Sequence, residues 1–175
     1  LQSKTQALSS WKLLDFVFAF LMIVMTECVG SLSAFLSPNI KSTYLNLHQP
    51  PLSPPSYIFP IVWPTLYAMI GLSGYFIFFK PPQQNILPQP DLKTIKTSQF
   101  LWVIQLIINF SWSIVFFRGN LYWTGLWICL GLDAVCAAYI FYSYKVNRYA
   151  SYLFVPYIVW FCFATYLTLV VAILN

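Results

Sequence analysis

Charge is what this sequence has least of. Asp, Glu, Lys and Arg make up 7% of its 175 residues, with four acids and a single histidine. A water-soluble domain carries about 25% charged residues to dress its surface, so that class is excluded. Basic residues are too scattered to form a nucleic-acid footprint, and the net charge of +5 needs another explanation. No phosphate-cradling glycine loop, nucleophile elbow or paired-carboxylate site is present. The four cysteines (Cys28, Cys129, Cys136, Cys162) lie inside apolar runs without metal-ligand spacing and read as packing thiols, so no metal site is expected.

Apolar length is what the chain has in abundance: 59% of its residues are hydrophobic and 20% aromatic. Five segments, 13–36, 57–79, 98–117, 123–144 and 149–174, each approach the roughly 20 residues that a helix needs to cross ~30 Å of hydrocarbon. The runs are continuous rather than alternating, which excludes a β-barrel. The first is too long for a signal-peptide core and is interrupted by Glu27. The expectation is one all-α integral membrane domain over 1–175, a five-helix bundle in the lipid bilayer. Residues 1–12 are expected to form a short polar arm, and 37–56 a loop.

Seven of the nine basic residues (Lys4, Lys12, Lys80, Lys93, Lys96, Lys145, Arg148) fall on one side of this topology, against Lys41 and Arg118 on the other. By the positive-inside rule the N-terminus faces the cytoplasm or its equivalent, and loop 37–56 lies outside.

That loop runs into the most distinctive stretch of the chain, HQPPLSPPSYIFPIVWPTLY at 48–67, with six prolines. Pro50, Pro51, Pro54 and Pro55 stiffen a non-helical approach. Ser56 is read as the N-cap of the second span, which places Pro60 fourth in the helix; Pro64 then leaves the Pro60 carbonyl without its donor, beside Trp63. On the third span Asn109, Trp112, Ser113 and Phe116 share one helical face, and on the fifth Trp160, Ala164 and Thr168 form a stripe. Gly125, Cys129 and Ala137 are read as a small-residue face on the fourth.

With the spans alternating in direction, Glu27, Trp63, Tyr67, Asn109, Trp112, Phe116, Trp127, Ala164 and Thr168 reach the outer half, and Trp160 lies near the middle. Two readings stand. They surround an aromatic pocket for a flat conjugated ligand that stacks on indole faces and accepts a hydrogen bond from a Trp N–H or Asn109. Alternatively they are interfacial and packing aromatics. Glu27 and Asp133, acids within the membrane, read either as proton or ligand sites or as hydrogen-bonded packing residues.

Four blocks in order carry a family resemblance: Tyr44, Leu47 and Pro50; Pro54-Pro55 leading to Val62-Trp63 and Thr65-Leu66-Tyr67; Asn109-x-x-Trp112 with Phe116-Phe117; and Pro156-Tyr157-x-x-Trp160 with Phe163-Ala164. From about residue 30 to 175 the chain resembles the translocator protein family, also called tryptophan-rich sensory proteins or peripheral-type benzodiazepine receptors. The resemblance implies a five-helix bundle, often a homodimer, that binds porphyrins such as protoporphyrin IX or haem and other flat aromatic ligands, with no required cofactor. It implies a bacterial cell membrane or an organelle membrane such as the mitochondrial outer membrane. Trp63, Tyr67, Asn109, Trp112, Phe116, Trp160 and Ala164 match the family's ligand-cavity positions, and Tyr57, which stands where a Trp is usual, is expected to bind ligand with them. The tryptophans matching Trp63 and Trp160 are implicated in light- and oxygen-dependent porphyrin breakdown, so a degrading enzyme is one alternative; a transporter or proton-coupled channel relaying through Glu27 and Asp133 is another. Pro60-Ile61 replaces a common Gly-Pro, and Thr168 a common Asn. Nothing basic follows Arg148, so the C-terminal sterol motif is missing. His48 reads as a solvated loop residue, with axial ligation of a metalloporphyrin the alternative.

Overall fold

The computed structural model describes residues 2–37, 40–80 and 82–175, with 2–11 and 41 by backbone alone. A chain in lipid must satisfy its backbone polar groups within each segment, and the described residues form helices only. They are α1 (Gln2–Phe35), α2 (Ile40–Asn46), α3 (Phe59–Phe78), α4 (Leu92–Ser113), α5 (Tyr122–Tyr144) and α6 (Arg148–Leu174). Five stretches are long and apolar enough to span a membrane: Lys12–Phe35, Ser56–Phe78, Leu92–Arg118, Tyr122–Tyr144 and Arg148–Leu174.

The departures from the expected boundaries have local causes. The polar arm continues α1 back to Gln2 instead of preceding it. Loop 37–56 contains a two-turn helix, α2, whose short apolar content is invisible to a membrane-length reading. The third span starts six residues early because Asp91 caps it: its carboxylate accepts from the Thr94 amide at 2.8 Å, and the hydrogen bonds from Thr94 hold its pKa below the usual carboxylate value. Asn147 caps α6 in the same way. Ser56 makes no capping bond. A 3₁₀ turn, Ser56–Ile58, comes first, so Pro60 is the second residue of α3, still one whose missing N–H has no intrahelical partner. Pro64 lies inside α3, as expected.

The bundle is held by α5 on α6, α1 on α3, α4 on α5 and α3 on α6. Its core is built from Ile70, Leu132, Cys136, Tyr139, Phe154, Tyr157 and Phe161, all fully buried. Some of the polar groups inside it are paired: Ser73 Oγ lies 2.7 Å from both the Tyr139 hydroxyl and the Ala150 carbonyl, and Trp102 Nε1 donates to the Ile70 carbonyl at 3.0 Å, whereas the amide of fully buried Gln105 has no partner among the described residues. Helix α1 packs closely on α3 at Gly71. A Cβ on Gly71 would lie 2.7 Å from the Ile23 Cα and the Met22 carbonyl oxygen, and beside it Thr26 Oγ1 donates to the Tyr67 carbonyl at 2.8 Å. Of the expected small-residue face on α5, Gly125 meets Phe116 and Cys129 is buried, but Ala137 faces outward: it is twelve residues from Gly125, a third of a turn beyond three whole turns.

At the end opposite the first loop, Lys80 pairs with Asp15 at 2.6 Å, and this bond raises the Lys80 pKa. The pair is partly exposed and contributes little to stability.

Candidate functional site

The segment between α1 and α3 covers one end of the bundle. The Tyr44 hydroxyl donates to the Pro54 carbonyl at 2.7 Å, and the Gln49 amide donates back to the Tyr44 carbonyl. Tyr166 of α6 donates to the Pro51 carbonyl at 2.9 Å, and the His48 amide donates to Asn175 Oδ1 at 3.0 Å. The prolines thus do what their missing donors allow: they supply carbonyls to tyrosines, and the cover is fastened to the last turns of α6. Leu52, at its exposed tip, holds φ at 69°. His48 is engaged with Asn175 at the surface and does not line the cavity beneath, so axial ligation from the cover finds no geometric support.

Beneath the cover is a cavity of about 530 Å³. Helix α3 contributes Phe59, Trp63 and Tyr67; α6 contributes Trp160, Ala164 and Thr168; α4 and its extension contribute Trp112, Phe116 and Phe117; α1 contributes Glu27, Gly30, Ser31 and Ala34. The rings order one another edge to face. Phe59 meets Tyr44 at 5.2 Å and Trp160 at 6.2 Å, and Trp112 meets Phe117 at 5.8 Å while stacking on Phe116 at 5.3 Å. Both phenylalanines face the cavity because α4 ends in a π-helical turn, Ile114–Arg118, whose wider winding closes with Gly119 N on the Ile114 carbonyl at 3.0 Å.

Of the residues singled out in the sequence, Trp63, Tyr67, Trp112, Phe116, Trp160 and Ala164 come together on the cavity wall. Asn109 lies behind Tyr67 rather than on the wall. Its Oδ1 accepts from the Tyr67 hydroxyl at 2.5 Å and its amide donates to the Tyr157 hydroxyl at 2.8 Å, so its polar groups are engaged within the bundle. Tyr57 sits on the 3₁₀ turn, 65% exposed and off the wall, because that extra turn rotates it away from α3's inner face. Trp127 is 72% exposed on the outer face of α5, an interfacial aromatic rather than a cavity one. Asp133 is likewise off the wall, accepting from Thr165 Oγ1 at 2.7 Å between α5 and α6, whereas Glu27 lines the cavity, so the two acids of the supposed relay occupy separate places. Sequence reasoning placed Glu27 at the pocket but missed the rest of the α1 wall, Gly30, Ser31 and Ala34, and Phe117. The first was legible: Glu27, Gly30, Ser31 and Ala34 recur at i, i+3, i+4, i+7.

Tyr67→Phe is expected to leave Asn109 Oδ1 buried without its donor. The loss is about 1–3 kcal/mol, read as a lower thermal unfolding midpoint in detergent.

Five membrane-length helices among the described residues, with a covered aromatic cavity between them, define a polytopic helical membrane protein. The sequence matches the TspO/MBR family over residues 19–174, and the chain belongs to that family. Among its relatives are the tryptophan-rich protein TspO of Chlorobaculum tepidum, 30% identical over 162 residues (89% of this chain, 94% of that protein), and protein CrtK of Rhodobacter capsulatus, 27% identical over 143 residues (78% and 79%). The human translocator protein is 27% identical over 125 residues, 70% of this chain and 68% of that protein.

Proposed function

We propose that this protein is a membrane receptor for porphyrins and related flat aromatic molecules, which it holds in the cavity under the segment between α1 and α3. The observation that carries the reading is the wall itself. Its volume falls in the range of small-molecule sites, about 300–1,000 Å³. Two indoles, Trp63 and Trp160, offer stacking faces. The same two indoles favour a second reading, light- and oxygen-dependent breakdown of a bound porphyrin, since an electron-rich ring stacked on a photosensitiser is readily oxidised.

Titration of the detergent-solubilised protein with protoporphyrin IX in the dark tests the first reading. Saturable quenching of tryptophan fluorescence is expected, with affinity reduced roughly three- to tenfold by Trp63→Phe. Quenching that rises linearly and is indifferent to Trp63 would contradict it. Illuminating the saturated complex in air tests the second: porphyrin absorption should fade in the parent protein and persist in Trp63→Phe.

A further inference from the structure

One carboxylate stands on the cavity wall. Glu27 lies on α1 one turn from Gly30 and Ser31, on the strip of α1 that faces the cavity, and no Lys, Arg or His is among the described side chains lining that space. Its level is the inner end. Helix α1 runs toward the cover and α3 runs away from it, and beside Glu27 Thr26 donates to the Tyr67 carbonyl, while Gly30, one turn nearer the cover, lies against the Tyr67 ring. The cavity is therefore polarised, with the Glu27 carboxylate at the end away from the cover.

An acid at this depth is expensive unless something pairs with it. Asp133 shows the protein's own solution elsewhere, a hydrogen bond from Thr165, and Asp15 has Lys80. Among the described side chains Glu27 has no hydrogen bond or ion pair of that kind, which leaves its partner to the ligand.

We infer that Glu27 is the specificity-determining residue of this cavity, pairing with a protonated nitrogen on the inner edge of a flat aromatic ligand. The inference rests on the receptor reading above and sharpens it. A ligand with an amine or protonated ring nitrogen at one edge is favoured. A ligand whose charges are carboxylates is held only with those groups turned toward the cover, away from Glu27. The like-charge penalty and the opposite-charge gain act over the same few ångströms in a medium of low dielectric, so the discrimination is large for a single residue.

Two fluorescent probes of near-equal shape and opposite charge test this: 9-aminoacridine, a cation at neutral pH, and 9-anthracenecarboxylate, an anion. Each is titrated into the protein in an uncharged detergent, with protoporphyrin IX as a third ligand and Glu27→Gln as the isosteric variant. The expected result is about tenfold or greater preference for the cation in the parent protein, as for a charge-assisted pair in a partly dry site, collapsing to near parity in Glu27→Gln. Protoporphyrin IX should bind Glu27→Gln at least as tightly as the parent. Equal affinity for the two probes in the parent, or a cation preference that survives in Glu27→Gln, overturns the role of Glu27. Saturable porphyrin binding without aminoacridine binding overturns it too and leaves the receptor reading standing. Failure of all three ligands to bind overturns both.

Discussion

Ala164→Phe is expected to abolish saturable porphyrin binding while the protein stays folded. Ala164 lies on α6 between Trp160 and Thr168, one turn from each, with its methyl on the cavity wall. A phenyl ring there extends into open volume and toward the space a ligand needs, rather than into backbone, so little overpacking strain is incurred. The affinity should fall by more than about thirtyfold, the effect of removing ~2 kcal/mol of central contact, with the thermal unfolding midpoint shifted by only a few degrees. A variant that binds porphyrin as the parent does would place the ligand elsewhere. A variant that unfolds would show that the space is not open to a side chain.

Gly71→Leu should have the largest effect on stability. Its Cβ would meet backbone atoms of α1 at 2.7 Å, the Ile23 Cα and the Met22 carbonyl oxygen, which no side-chain rotation relieves. The two helices must separate, and with them goes the bond from Thr26 to the Tyr67 carbonyl. Overpacking of about 1–3 kcal/mol and a lost buried hydrogen bond of about 1 kcal/mol act together. Because α1 carries Glu27, Gly30, Ser31 and Ala34, its displacement also removes a wall of the cavity. Gly131→Leu is the matched control: an added Cβ there meets nothing within 4 Å, and the substitution should be close to neutral or stabilising. Equal unfolding midpoints for the two variants would contradict the close α1–α3 contact.

The contrast between these two glycines shows how far the sequence alone reaches. Both are glycines in apolar helices, and only the placement of α1 against α3 separates them. The five spans were legible because hydrophobic length is a one-dimensional property. So was the shared face of Trp112 and Phe116, and of Trp160, Ala164 and Thr168, because helical periodicity fixes it. What stayed hidden depended on departures from a regular helix. The π-helical turn that brings Phe117 beside Phe116, and the 3₁₀ turn that carries Tyr57 outward, each rotate side chains by a fraction of a turn that no regular period contains. Asn109 failed as a wall residue for another reason. Its face was read correctly, but the partners that occupy its amide, Tyr67 and Tyr157, come from two other helices. Trp127 shows that depth in the membrane is not direction: it shares a level with the cavity and faces lipid.

The central claim is that a porphyrin-type ligand lies beneath the segment between α1 and α3, between the indoles of α3 and α6. Photo-cross-linking with a diazirine-bearing protoporphyrin, followed by peptide mapping of the labelled residues, tests it most directly. Labels should concentrate within 59–67 on α3 and 160–168 on α6 and be displaced by excess unlabelled protoporphyrin IX. Labels confined to the outward faces of α1 and α5, around Phe16, Phe20 and Trp127, and undiminished by competitor, would mean that the porphyrin dissolves in the detergent and lipid surrounding the bundle and that the cavity is not its site.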